Sequence, residues 1–173
     1  MQIEIVYICG FMGCGKSTLL KHLKSDKELF LVDLDDEIKK ELDSLFGEDE
    51  LGNHIRKIGL AKFREIETNV LENIDLDPKK VNIIALGGGA LEKNSDFILN
   101  HKSSCLVWIN TPFETCYERI KDDLNRPLVS SKEELKKLYL SRLPLYERSN
   151  LILDETQSKS IKTYDELKSL LPN

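Results

Sequence analysis

Five short apolar runs, rich in branched side chains, recur along the chain at residues 3–9, 29–32, 81–86, 106–109 and 151–153. Between them lie longer stretches whose apolar residues fall at helical spacing. Residues 16–24 put Leu19, Leu20 and Leu23 on one side, and residues 55–74 carry Ile55, Ile58, Phe63, Ile66, Val70 and Leu71 as one continuous helical pattern. Pro112 opens a further helix running to about Asp122, and a serine cap ahead of Glu133 and Glu134 opens another, in which Pro144 predicts a kink or an early stop. Runs too short and too uniformly apolar to be half-exposed strands, alternating with helices, predict an α/β protein whose parallel sheet is covered on both faces. Residues 43–53 and 121–131 read as surface excursions. With no repeat, low-complexity tract or linker, residues 1–173 are expected to form a single domain.

Composition narrows the function classes. The chain has 40% hydrophobic residues, enough for a real core, and 32% charged residues with a net charge of −5. An acidic balance argues against non-specific nucleic-acid or anionic-membrane binding, so any anionic ligand must be held by local cations. Cys9, Cys14, Cys105 and Cys116 show neither CxxC spacing nor clustering with His22, His54 or His101, which disfavours a zinc site and suits reduced thiols. The N-terminal stretch lacks a basic segment followed by a cleavage site, and no apolar run reaches bilayer-spanning length. A cytoplasmic monomer that binds small molecules, with no nucleic acid or membrane as partner, is the expectation. Of the basic residues nineteen are Lys and six are Arg. In so Lys-rich a chain the arginines are worth following, because their rigid fork suits carboxylate and phosphate.

The stretch GFMGCGKST at 10–18 matches GxxxxGK[ST] directly after an apolar strand and directly before a helix. Its residues Gly13, Cys14, Gly15, Lys16, Ser17 and Thr18 form a phosphate cradle of backbone N–H groups at a helix N-terminus. Lys16 would reach the outer phosphates and the Ser17 hydroxyl would ligate Mg²⁺. A second stretch, VDLDDE at 32–37, places four carboxylates close by in sequence. Asp33, Asp35, Asp36 and Glu37 have two readings: chemistry beside a cation, or the capping and starting of a helix where negative charge is favourable.

Beyond the loop, DLD at 33–35, FREIE at 63–67, LGGGA at 86–90, RPL at 126–128 and RLPLYE at 142–147 follow in an order and approximate spacing that resemble the shikimate kinases. These are small P-loop enzymes related to nucleoside monophosphate kinases. The resemblance implies a three-layer α/β/α P-loop kinase fold, a five-stranded parallel sheet in order 2-3-1-4-5, a substrate-binding segment at about 35–75 and a mobile lid at about 121–131. It implies transfer of the ATP γ-phosphoryl group to the 3-hydroxyl of shikimate, with ATP and Mg²⁺ required. Residue by residue, it places Asp33 with Ser17 at the metal and Asp35 at the acceptor hydroxyl, with Lys16 and Arg126 acting on the transferring phosphate. Arg119 falls against the adenine. Arg64, Arg142 and the triplet Gly87, Gly88 and Gly89 fall around shikimate, with Glu67 holding Arg64. Two features depart from the pattern: Cys14 stands where Ser is usual, and the segment between Asp35 and Phe63 is longer than is usual. Alternatives left open are a kinase for another hydroxy acid such as gluconate, and a regulator that binds ATP without transfer.

Overall fold

In the computed structural model of the chain, residues 3–122 and 131–172 are described. Each of the five apolar runs forms a strand: β1 (Ile5–Cys9), β2 (Leu29–Asp33), β3 (Val81–Ala85), β4 (Ser104–Asn110) and β5 (Leu151–Asp154). They pair in parallel in the order β2-β3-β1-β4-β5, the order implied by the resemblance. Burial follows that order. Central β1 is buried at every position, whereas edge strands β2 and β5 mix buried residues with partly or fully exposed ones. The register aligns Asp33 with Ala85 and Cys9 with Trp108, so the carboxyl ends of β1, β2, β3 and β4 open on one edge, where ligands of parallel sheets bind.

The helices are α1 (Lys16–Leu23), α2 (Leu34–Phe46), α3 (Leu51–Ile58), α4 (Leu60–Glu72), α5 (Leu91–Asn100), α6 (Phe113–Ile120), α7 (Lys132–Tyr146), α8 (Glu155–Ser160) and α9 (Tyr164–Lys168). Leu23, Leu34, Ile38 and Leu42 of α1 and α2 are fully buried. Burial of this kind contributes about 1.5–3 kcal/mol per side chain. Local chemistry sets the helix starts. The Asp33 side chain accepts the Asp35 N–H at the head of α2, Ser131 accepts the Glu134 N–H at the head of α7, and Thr163 closes a capping box on α9. No helix among the described residues is long and apolar enough to cross a membrane.

Three expectations change. The continuous pattern of residues 55–74 is two helices, because Gly59 takes φ +81° and ψ 155°, a conformation open almost only to glycine, which ends α3 and starts α4. The excursion at 43–53 is mostly helical, with only residues 47–50 between α2 and α3. Asp49 anchors that turn by accepting from the Glu50 N–H, Asn53 and Lys57. Asp43 accepts from Lys39 and the Asp49 N–H and pairs with the buried His54 at 2.8 Å, and the Lys39 and His54 contacts hold its carboxyl down at about 2. Pro144 neither stops nor shortens α7, which continues to Tyr146; lying near the end of the helix, it withholds one N–H only from the last turns.

Candidate active site

The loop after β1 wraps a cavity of about 430 Å³ lined by Met12–Thr18, Asp33, Asp35, Gly88, Arg119, Ser158 and Lys159. Gly13 has φ +79°, and a Cβ there would meet the Cys116 carbonyl at 2.8 Å, so only glycine lets the loop turn this close to α6. Gly15 leads into α1, which aims its first N–H groups at the cavity. The Lys16 ammonium arches over the loop, donating to the Gly10 carbonyl at 3.0 Å and the Phe11 carbonyl at 3.3 Å. Cys14 is buried, its Sγ 3.7 Å from Lys16 Nζ, and it sits as a small packed side chain beneath the loop. All six expected loop residues, Gly13 to Thr18, line the cavity.

At the end of β2 one carboxylate faces two ways. Asp33 Oδ1 accepts the Asp35 N–H at 3.2 Å, which caps α2, while Oδ2 accepts the Ser17 hydroxyl at 3.0 Å across the cavity floor. Burial first, and then the neighbouring Asp35, raise the Asp33 pKa above the usual carboxylate value, with the Ser17 hydrogen bond opposing them. Asp35 also lines the cavity. Strand alternation, which turns residues two apart to one side, does not bring these acids together, because the strand ends at Asp33 and Asp35 is already in the first turn of α2. The strand-to-helix junction brings both acids to the same space.

On the wall next to Asp35, two buried arginines converge. Arg64 comes from α4 and Arg142 from α7; a Cβ on Gly89 would meet Arg64 Nη2 at 2.0 Å and Arg142 Nη2 at 2.5 Å. A Cβ on Gly87 would meet Asp35 Oδ1 at 2.8 Å, and one on Gly88 would lie 3.7 Å from Arg142 Nη1. The triplet is bare because three charged side chains occupy the space its own side chains would fill. Glu67 accepts from Arg64 Nη1 at 2.6 Å, one helical turn along α4 as expected, and burial pushes its carboxyl upward in pKa against the pull of Arg64. Arg142 Nη1 is buried with no partner. A planar anion with two oxygens suits the two guanidinium groups.

Sequence reasoning missed several neighbours. Glu92, in the first turn of α5, accepts from Arg142 Nε at 2.8 Å and lies 3.8 Å from Arg64 Nε. The Tyr146 hydroxyl donates to the Gly88 carbonyl while its ring stacks on Trp108. Ser158 and Lys159 of α8 complete the cavity rim. The RLPLYE motif could have pointed to Tyr146, one helical turn beyond Arg142, but a lone acid after a glycine triplet and a six-residue helix near the C-terminus carry no such signal. Arg119 is at the rim, donating to the Gly13 carbonyl at 2.8 Å and pairing with Glu155. Arg126 lies outside the described residues, as does most of the expected lid. Phe63, beneath Arg64, is buried and serves as core.

This arrangement has close parallels. The family model described as shikimate kinase matches residues 12–171. A shikimate kinase of Persephonella marina is 33% identical over 157 residues, covering 90% of each chain. One of Staphylococcus epidermidis is 33% identical over 167 residues, covering 92% of this chain and 91% of that one. Among solved structures, shikimate kinase from Acinetobacter baumannii in complex with shikimate superposes with a TM-score of 0.76 at 26% identity, covering 97% of this chain and 96% of that one. The Aquifex aeolicus enzyme gives 0.72 at 27% identity, covering 96% and 95%. The match over nearly the whole chain shows that it belongs to the shikimate kinase family.

Proposed function

We propose that the protein transfers the γ-phosphoryl group of ATP to the 3-hydroxyl of shikimate, with the loop cavity holding the nucleotide and the Arg64–Arg142 wall holding the acceptor. The carrying observation is the convergence of both Nη2 atoms on Gly89 beside Asp35, at the edge of the phosphate cradle. A hydroxy acid bound by its carboxylate on that wall brings a ring hydroxyl toward Asp35, between the clamp and the phosphates. Asp35 orients that hydroxyl and accepts its proton as the phosphoryl group leaves ATP. Lys16 meets the outer phosphates, Arg119 the nucleotide at the rim, and Arg126 the charge developing on the transferring group.

The Ser17 hydroxyl and the Asp33 carboxylate, 3.0 Å apart, are hard oxygen donors that suit Mg²⁺ better than any softer ion. Ser17 and Asp33 would hold the ion, which when bound would supply neutralising charge to the phosphates. Four free, buried cysteines support work in a reducing compartment such as the cytoplasm.

The test is ADP release by the purified protein with shikimate, gluconate or a nucleoside monophosphate as acceptor. Turnover with shikimate and not with the others is expected. Preference for another acceptor would overturn the substrate assignment, and ATP binding without transfer to any acceptor would replace a kinase by a regulator.

A further inference from the structure

Two buried guanidinium groups side by side repel each other, and each arginine loses considerable rotamer freedom when fixed. Something must hold Arg64 and Arg142 in register before an anion arrives. Glu67 restrains Arg64 alone, at Nη1. Among the ion pairs of the described residues, Glu92 is the acid that meets both: Oε1 accepts from Arg142 Nε at 2.8 Å and Oε2 lies 3.8 Å from Arg64 Nε, a charge contact and not a hydrogen bond. Its own position is fixed by the triplet, since its backbone N–H donates to the Gly89 carbonyl at 3.1 Å. Three helices, α4, α5 and α7, thus meet through one carboxylate. It bonds the Nε of Arg142 and faces the Nε of Arg64 by charge alone, leaving Nη2 of both turned to Gly89, while Arg64 Nε and Arg142 Nη1 are buried without a hydrogen-bond partner.

We infer that Glu92 is a positioning residue for the acceptor's carboxylate: its hydrogen bond to Arg142 Nε and its charge contact with Arg64 keep the two Nη2 groups side by side as a pair. The inference rests on the reading of this wall as the shikimate site. An acid so close to a carboxylate clamp has an opposite possible effect, competition with substrate for the arginines, and the sign of the mutational effect separates the two. Glu92 bonds Arg142 at Nε and not at Nη2, which favours positioning.

The experiment measures steady-state kinetics, calorimetric shikimate binding and thermal melting for the wild type, Glu92→Ala and Glu92→Gln. Loss of a charge-assisted hydrogen bond that organises the clamp should raise the shikimate KM and Kd of Glu92→Ala by roughly ten-fold. The ATP KM and the melting temperature should hold, and kcat should change much less than KM. Glu92→Gln, which keeps an acceptor for Arg142 Nε but not the charge, should fall between. An unchanged shikimate KM in both variants would overturn the inference, and a lowered one would make Glu92 a competitor. Parallel losses in ATP KM, kcat and melting temperature would make it merely structural. A wild type that neither binds nor phosphorylates shikimate would overturn the functional reading and this inference together, whereas an active wild type with indifferent variants would overturn this inference alone.

Discussion

Gly89 offers a sharp test of the acceptor wall, because a single methyl group would fall on two arginines at once. In Gly89→Ala the new Cβ would lie 2.0 Å from Arg64 Nη2 and 2.5 Å from Arg142 Nη2, well inside contact distance. Gly89 is not among the glycines with left-handed backbone, so alanine brings no conformational strain and the effect is steric. Guanidinium tips at the end of free side chains would move aside at little cost. These are not free, since Glu67 holds Arg64 at 2.6 Å and Glu92 holds Arg142 at 2.8 Å, and both arginines are buried. Retreat therefore breaks either the buried ion pairs or the alignment of the Nη2 pair. A hydrogen bond to a charged group contributes about 1.5–3 kcal/mol, so misaligning one from each arginine should raise the shikimate KM by about a hundredfold or more. A coupled ADP-release assay titrated separately in shikimate and in ATP would show the first KM rise and the second stay near wild type, while melting falls to the extent that the buried ion pairs are broken. An unaltered shikimate KM in a folded variant would refute the reasoning, because the anion would then bind elsewhere.

Other perturbations separate the remaining roles. Asp35→Asn should lower kcat by roughly two or more orders of magnitude while ATP affinity holds, as measured by single-turnover kinetics and nucleotide titration. Asp33→Asn should raise the Mg²⁺ concentration needed for half-maximal turnover yet melt at or above the wild-type temperature near neutral pH. Its folded pKa lies above the ordinary 3.8, so the stability this group contributes is present below that value and is lost as pH rises through the folded pKa; asparagine removes that loss and still caps α2. Asp33→Ala, lacking the cap, should instead lose about 1 kcal/mol in urea unfolding. Gly59→Ala should cost on the order of 1–3 kcal/mol in the same assay, since φ +81° with ψ 155° is closed to alanine although nothing crowds its Cβ.

The strands were legible because a parallel sheet covered on both faces demands apolar runs, and such runs are hard to mistake when polar or glycine-rich stretches flank them. The phosphate loop was legible because its glycines, Lys16 and Ser17 sit at fixed offsets that backbone geometry enforces. The break at Gly59 was not. Ile55, Ile58, Phe63 and Ile66 keep helical spacing straight through it, since α3 and α4 both turn apolar residues to the core, and periodicity registers the side a residue faces but not the backbone between. Glu92 was illegible for a different reason. Its importance comes from α4 and α7 arriving beside it, and no local pattern in α5 encodes where two distant helices end.

At the junction of β2 and α2 one acid has two roles, helix cap and partner of the phosphate loop. A carboxylate has two oxygens, and Asp33 gives one to each role, since Oδ1 caps α2 through the Asp35 N–H and Oδ2 meets Ser17 of the phosphate loop. The cap therefore does more than stabilise a helix. It fixes the first turn of α2, so Asp35 is held by the same side chain that meets Ser17 of the phosphate loop. A phosphate donor on the loop and an acceptor on the arginine wall are thus placed relative to one another through the Asp33 side chain, together with the neighbouring carboxyl ends of β1 and β3, where the Leu86 N–H bonds the Ile8 carbonyl at 2.9 Å. In-line transfer tolerates little error in the distance between hydroxyl and phosphorus. The loop and the glycine triplet leave the ends of those two neighbouring strands, which are buried within the sheet, and that placement limits the error.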